Sequence, residues 1–193
     1  MDNLSLNYAL LMASLKSPLA PKVLGTALLA ALANRYEADH RNVALIQFEQ
    51  FGSTYLFDLA SSACLSQEDR TVAAWALAPL VVNEWDTGYL RGFPMSHGSN
   101  DAPVDRGHVI PHHLGGVSGP NIYRQARSLN RGWSAQGRRY RALEREAAKT
   151  PGTFFFGHLI YIDDTAYPSE IEVGFLRGAA LHVERFDNRP LNE

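Results

Sequence analysis

Cysteine is nearly absent from this chain: Cys64 is the only one among 193 residues. No intrachain disulfide can form, so nothing in the composition demands an oxidising compartment. Cys64 lies in Ala60-Ser61-Ser62-Ala63-Cys64-Leu65 with no patterned partner and reads as an inert small residue. A long apolar run is also missing. The apolar stretch at residues 23–33 is too short to span a bilayer. The N-terminus lacks the basic head, apolar core and small-residue cleavage site of a signal peptide. The expectation is a soluble protein with no membrane partner, either cytoplasmic or delivered by a non-classical route. Internal repeats and low-complexity segments are absent. With a net charge of -2, the whole molecule is not a polycation.

What is present is enough apolar sequence for a core. At 46% hydrophobic and 20% charged, the chain reads as globular rather than disordered. Its length suits one domain, or one domain with a helical appendage. The charge is unevenly spread. Residues 106–149 hold nine basic side chains (Arg106, Arg124, Arg127, Arg131, Arg138, Arg139, Arg141, Arg145, Lys149) against Glu144 and Glu146, a local balance of +7. Such a cluster suits a polyanion, or forms the solvated face of a helix.

The pattern predicts an α+β protein. Residues 4–15 and 21–37 read as helices, with Pro21 suited to a first turn. Residues 42–49 and 53–59 read as paired strands turning at Gly52-Ser53. Residues 67–82 have helical spacing at Val72, Trp75, Ala76 and Leu80 and predict a third helix. Residues 83–104 are turn-rich and predict a loop leading into the working part of the chain. Residues 115–120 form another loop. Residues 129–148 predict a mainly helical segment bent near Gly137. Residues 153–162, 170–176 and 180–186 have strand character. The division is into an N-terminal helical and hairpin region, 1–85, and a working region, 86–193, although the early strands can join the tail strands in one sheet. Trp75, Trp85 and Tyr89 read as core residues.

Asp105-Arg106-Gly107-His108 is followed, 22 positions after the histidine, by Asn130 in Leu129-Asn130-Arg131-Gly132. A histidine takes a proton from water near neutral pH. A hard cation such as magnesium keeps most of its waters and needs only one or two protein oxygens. Base, cation ligand and arginines are the parts that phosphodiester hydrolysis requires. Pro111 prevents a helix from carrying His108 and His112 together as an i, i+4 zinc pair. His40, His97, His158 and His182 lack local support. Taken singly, His108 could be a buried turn histidine and Asn130 a helix N-cap.

Asp105-Arg106-Gly107-His108-Val109-Ile110-Pro111, then Gly115-Gly116, Asn121-Ile122-Tyr123-Arg124-Gln125 and Leu129-Asn130-Arg131-Gly132, resemble the DNA/RNA non-specific endonucleases of the ββα-metal type. The likeness is greatest to the compact bacterial toxin domains and covers about residues 100–187. It implies an antiparallel sheet carrying a ββα-metal motif. It implies His108 as general base, Asn130 as the direct magnesium ligand (manganese able to substitute) and Arg106 holding phosphate. Asp105, Asn121 and Gln125 are supporting residues. A glutamate on the following helix, matched best by Glu144 with Glu146 as fallback, reaches the hydration shell of the ion. Residues 133–139 are extra length before that glutamate. Arg127, Arg131, Arg138 and Arg141 are candidates for substrate binding. The implied partners are DNA, RNA or both, together with a small, acidic, immunity-type inhibitor. Two other readings stand beside this one: a nuclease-like domain that binds nucleic acid or protein without cutting, and a zinc hydrolase built on His108, His112 and His113.

Overall fold

The computed structural model describes residues 6–81 and 103–190. The turn-rich segment between them lies outside the described residues, apart from Pro103 and Val104 at its end, as do Trp85, Tyr89 and His97. The architecture is α+β. Six antiparallel strands form one sheet in the order β1 (Leu45–Gln50), β2 (Ser53–Asp58), β3 (Arg70–Leu77), β6 (Phe154–Ile160), β7 (Glu170–Arg177), β8 (Ala180–Asp187). Between β3 and β6 the chain adds a separate two-stranded antiparallel ladder, β4 (Val104–His108) with β5 (Ile122–Ala126). The helices are α1 (Tyr8–Ser14), α2 (Pro21–Asp39), α3 (Ala60–Ala63), α4 (Arg127–Asn130) and α5 (Ala135–Ala147). Because β3 pairs with β6, the first and last thirds of the chain share one sheet. No helix among the described residues is long and apolar enough to cross a membrane.

Two layers cover the sheet. On one face lie α1 and α2. Pro21 opens α2 where its missing N–H has no helical partner to lose. Leu24, Leu28, Leu29, Leu32 and Tyr36 form its buried stripe, and each buried leucine contributes about 1.5–3 kcal/mol. Gly25 lies against the Trp75 indole of β3. Tyr8 of α1 packs on Phe156 and donates a hydrogen bond to the buried Glu172 carboxylate. The opposite face carries the β4–β5 ladder and α5. Val109 sits on Gly157 of β6, Tyr140 of α5 meets Phe186 of β8 edge-on, and Arg139 is ion-paired with Glu184 of β8. Alternation along β6 and β8 puts Gly157, Glu184 and Phe186 on the side away from Phe156 and Glu172.

Two helix expectations are corrected. Residues 67–82 are not helical: Arg70–Leu77 is the β3 strand at the middle of the sheet. Layers on both faces bury every residue from Arg70 to Ala76. A strand covered on both sides loses its two-residue alternation, so its apolar run also satisfies a helical template. Residues 129–148 are not one bent helix but two. The break is at Gly132, not Gly137: Gly132 has φ +71°, the left-handed conformation that ends a helix at the residue after its C-cap. Ser134 then caps α5 by accepting a hydrogen bond from the Gly137 N–H at 2.9 Å.

Candidate functional site

The Asp-Arg-Gly-His segment forms β4. Opposite it on β5, Asp105 faces Gln125, Arg106 faces Arg124, Gly107 faces Tyr123 and His108 faces Ile122. Gly107 is needed for space. A Cβ there would lie 2.5 Å from Gln125 Oε1 and 2.6 Å from Gln125 Cβ, closer than any side chain tolerates. The glycine lets Gln125 and Tyr123 close over the strand, and both are buried.

The chain leaves His108 through a loop clamped by Asn121. Its fully buried carboxamide accepts from the Ile110 N–H at 2.8 Å and donates to the Ile110 and Val117 carbonyls at 2.8 and 2.7 Å. Asn121 is therefore a scaffold residue here. Pro111 interrupts regular structure as anticipated, and His112–Leu114 make a single 3₁₀ turn beside α5. His113 bonds a backbone group of Glu144.

Asn130 is the last residue of α4. It caps no helix, because Ser134 does that for α5. Its amide nitrogen donates to Asp105 Oδ2 at 3.3 Å. A carboxylate only accepts, so this contact turns the Asn130 carboxamide oxygen away from Asp105. Asp105 also accepts from Arg131 Nε at 2.7 Å and Arg127 Nε at 3.2 Å. Burial alone would raise the Asp105 carboxyl. The bonds from Arg131, Arg127 and Asn130 outweigh that and hold it below the ordinary carboxylate value.

One cavity of about 530 Å³ is lined by His108, Pro111, His112, His113, Gln125, Asn130, Arg131, Arg141, Glu144 and Arg145. Two of its titratable groups, His108 and Glu144, are displaced in opposite directions. Burial, and then the neighbouring His112, push His108 down to about 4. Burial pushes Glu144 up to about 7, against the Tyr140 hydroxyl and the Arg141 and Arg145 guanidiniums, which favour its charged form. Both follow one rule: removing water disfavours charge, cationic on imidazole and anionic on carboxyl.

Of the expected site residues, His108, Gln125, Asn130, Arg131, Arg141 and Glu144 therefore share a cavity, although Glu144 lies 14 positions after Asn130 across a helix break. Arg106, Arg127 and Arg138 are not among its lining residues. Arg127 is occupied by Asp105, and Arg138 donates to the Trp133 carbonyl at 3.0 Å. Glu146 pairs with Arg177 and does not line the cavity. Sequence reasoning weighed His112 and His113 only as zinc ligands beside His108, and passed over Arg145 as part of this wall. Arg145 belonged to the basic run, but its facing depended on where α5 begins. Among the described residues no three or more His, Cys, Asp or Glu side chains converge to hold an ion, so His108, His112 and His113 do not make a zinc triad. The residues of this cavity that could hold a hard divalent cation are Asn130 and Glu144. The Asn130 amide oxygen is turned from its carboxylate partner, and Glu144 is a desolvated carboxyl whose ionised form gains from a nearby positive charge.

No protein-family model matches this chain, and no curated protein matches it.

Proposed function

We propose that this chain is a metal-dependent, sequence-non-specific endonuclease of the ββα-metal type that hydrolyses phosphodiester bonds in DNA, RNA or both. The observation carrying the proposal is that His108, Asn130 and Glu144 meet Arg131, Arg141 and Arg145 around a single cavity. A neutral imidazole, an amide oxygen, a carboxyl and three guanidiniums form a donor set for water, a hard cation and a phosphate.

His108 is neutral at physiological pH because burial depresses its proton affinity. A neutral imidazole can take a proton from a water molecule. The water oxygen bonds to phosphorus, the P–O3′ bond breaks, the departing 3′ oxygen takes a proton from solvent water, and the product keeps a 5′ phosphate. A phosphodiester anion in the cavity stabilises the imidazolium as it forms. Arg131, Arg141 and Arg145 hold the phosphoryl oxygens. Magnesium, when bound, neutralises charge growing on the phosphoryl group and the departing oxygen. Asn130 is the residue that would hold it, with Glu144 serving its bound water, and Asp105 keeps Asn130 turned for that purpose. An acidic inhibitor would act by covering the same arginine-lined cavity.

The test is cleavage of supercoiled DNA and of RNA, with magnesium or manganese and with chelator, by the wild type and His108→Ala. The wild type is expected to cut only with metal, and the variant to lose about 100-fold or more. Intact nucleic acid with metal-loaded wild type would end the proposal. Undiminished cutting by His108→Ala would remove the imidazole from the reaction. Binding in chelator together with no cutting when metal is supplied would mark a nucleic-acid-binding domain instead.

A further inference from the structure

Trp133 stands in the four-residue break between α4 and α5, within the length that separates Asn130 from Glu144. It is 57% exposed, whereas Trp75 is 8% exposed and in the core. Its backbone is held firmly: its N–H donates to the Ser128 carbonyl at 2.9 Å, and its own carbonyl accepts from Arg138 at 3.0 Å. The Arg131 guanidinium lies over the ring, 5.1 Å from its centroid. That same Arg131 lines the cavity and is held by both oxygens of Asp105. The indole is thus joined to the cavity rim through a cation that an acidic side chain keeps in place.

A nucleic-acid strand alternates charged phosphates with flat, apolar bases. Here a guanidinium-lined cavity adjoins an exposed aromatic ring on a held backbone. Bases stack on such rings with little regard to sequence, and an adjacent arginine strengthens the contact. A base inside a duplex has both faces covered by its neighbours and cannot use the ring. We propose, resting on the nuclease reading above, that Trp133 is a stacking platform for an unpaired base and directs this site towards single-stranded nucleic acid.

The test uses the full-length chain in chelator, so that binding is read without cutting. A dye-labelled single-stranded oligonucleotide and the same sequence as a duplex are titrated by fluorescence anisotropy against wild type, Trp133→Ala and Trp133→Phe. Trp133→Ala is expected to weaken single-strand binding about tenfold and leave duplex binding unchanged, while Trp133→Phe keeps most of the single-strand affinity. Equal loss on both substrates would reduce Trp133 to a support for Arg131 and overturn the proposal. So would unchanged binding by Trp133→Ala, in which case the exposed indole belongs to a protein contact. If the wild type binds neither strand form, the nuclease reading falls and this inference with it; if it binds and only the Trp133 prediction fails, the nuclease reading stands.

Discussion

Replacing Glu144 by glutamine isolates the cost of keeping a carboxyl in the cavity. Glutamine keeps the shape and an oxygen to accept from Tyr140, but it cannot ionise. In the folded chain Glu144 titrates at about 7, against an ordinary 4.5. A displacement of roughly two and a half pH units corresponds to at most about 3 kcal/mol. Folding raises this pKa, so the associated stability is complete below pH 4.5 and is lost as pH climbs through 7. His108 runs the other way. Its folded value is about 4 against an ordinary 6.5, so its contribution is complete above pH 6.5 and is lost as pH falls through 4. Between pH 4.5 and 6.5 the two trends oppose each other, and their sum in the wild type is nearly level. Glu144→Gln removes one of them. Measured by urea or thermal unfolding in chelator, the variant and wild type should coincide near pH 4.5. By pH 8 the variant should be the more stable by up to about 3 kcal/mol, or roughly 10 °C in Tm for a chain of this size. On the proposed reading the same variant should also cut nucleic acid far more slowly, because Glu144 would be one of the groups that serve the cation. Stability curves that stay parallel from pH 4.5 to 8 would refute the reasoning, because they would mean the carboxyl keeps its water.

Two further outcomes follow from the geometry around β4. Asp105→Asn leaves one acceptor oxygen where there were two and removes the charge that gathers Arg127 and Arg131, so Asn130 and both arginines can no longer all be held. If the proposed nuclease reading holds, cleavage is expected to fall by about 100-fold, since a displaced site group typically has that effect, while Tm changes little because the arginines are half-exposed. Steady-state cleavage beside a melting curve checks this; a large loss of Tm would make Asp105 a folding residue instead. Gly107→Ala forces a methyl against Gln125 and should destabilise by about 1–3 kcal/mol. Denaturant unfolding measures it, and an unchanged midpoint would show that Gln125 moves aside freely.

Much of the architecture was legible because its signals are local. Pro21 marks a helix start, and Gly52 marks the β1–β2 hairpin, although the turn is Phe51-Gly52, with φ +48° and +80°, one residue before the expected Gly52-Ser53. Alternation in the tail marked β7 and β8. The error over β3 came from a property no local window contains. Whether an apolar run is a helix or a strand buried on both faces depends on what lies above and below it, and here those layers come from α2 and from the β4–β5 side.

The candidate site divides along the same line. The amino-acid sequence alone determined which chemistry is available: an imidazole after a glycine, a carboxamide 22 residues later, and an arginine-rich segment with Glu144 inside it. Side-chain type is written in the chain, and so is the proline that keeps His108 out of a helix. Only the tertiary structure decided which of these groups face one another. The left-handed Gly132 and the Ser134 cap set the start of α5, and that start turns Glu144, Arg141 and Arg145 to the cavity while Glu146 goes to Arg177. Rotation about a helix axis advances by a fixed angle per residue, so where the helix begins determines every side chain's direction, and packing sets that beginning.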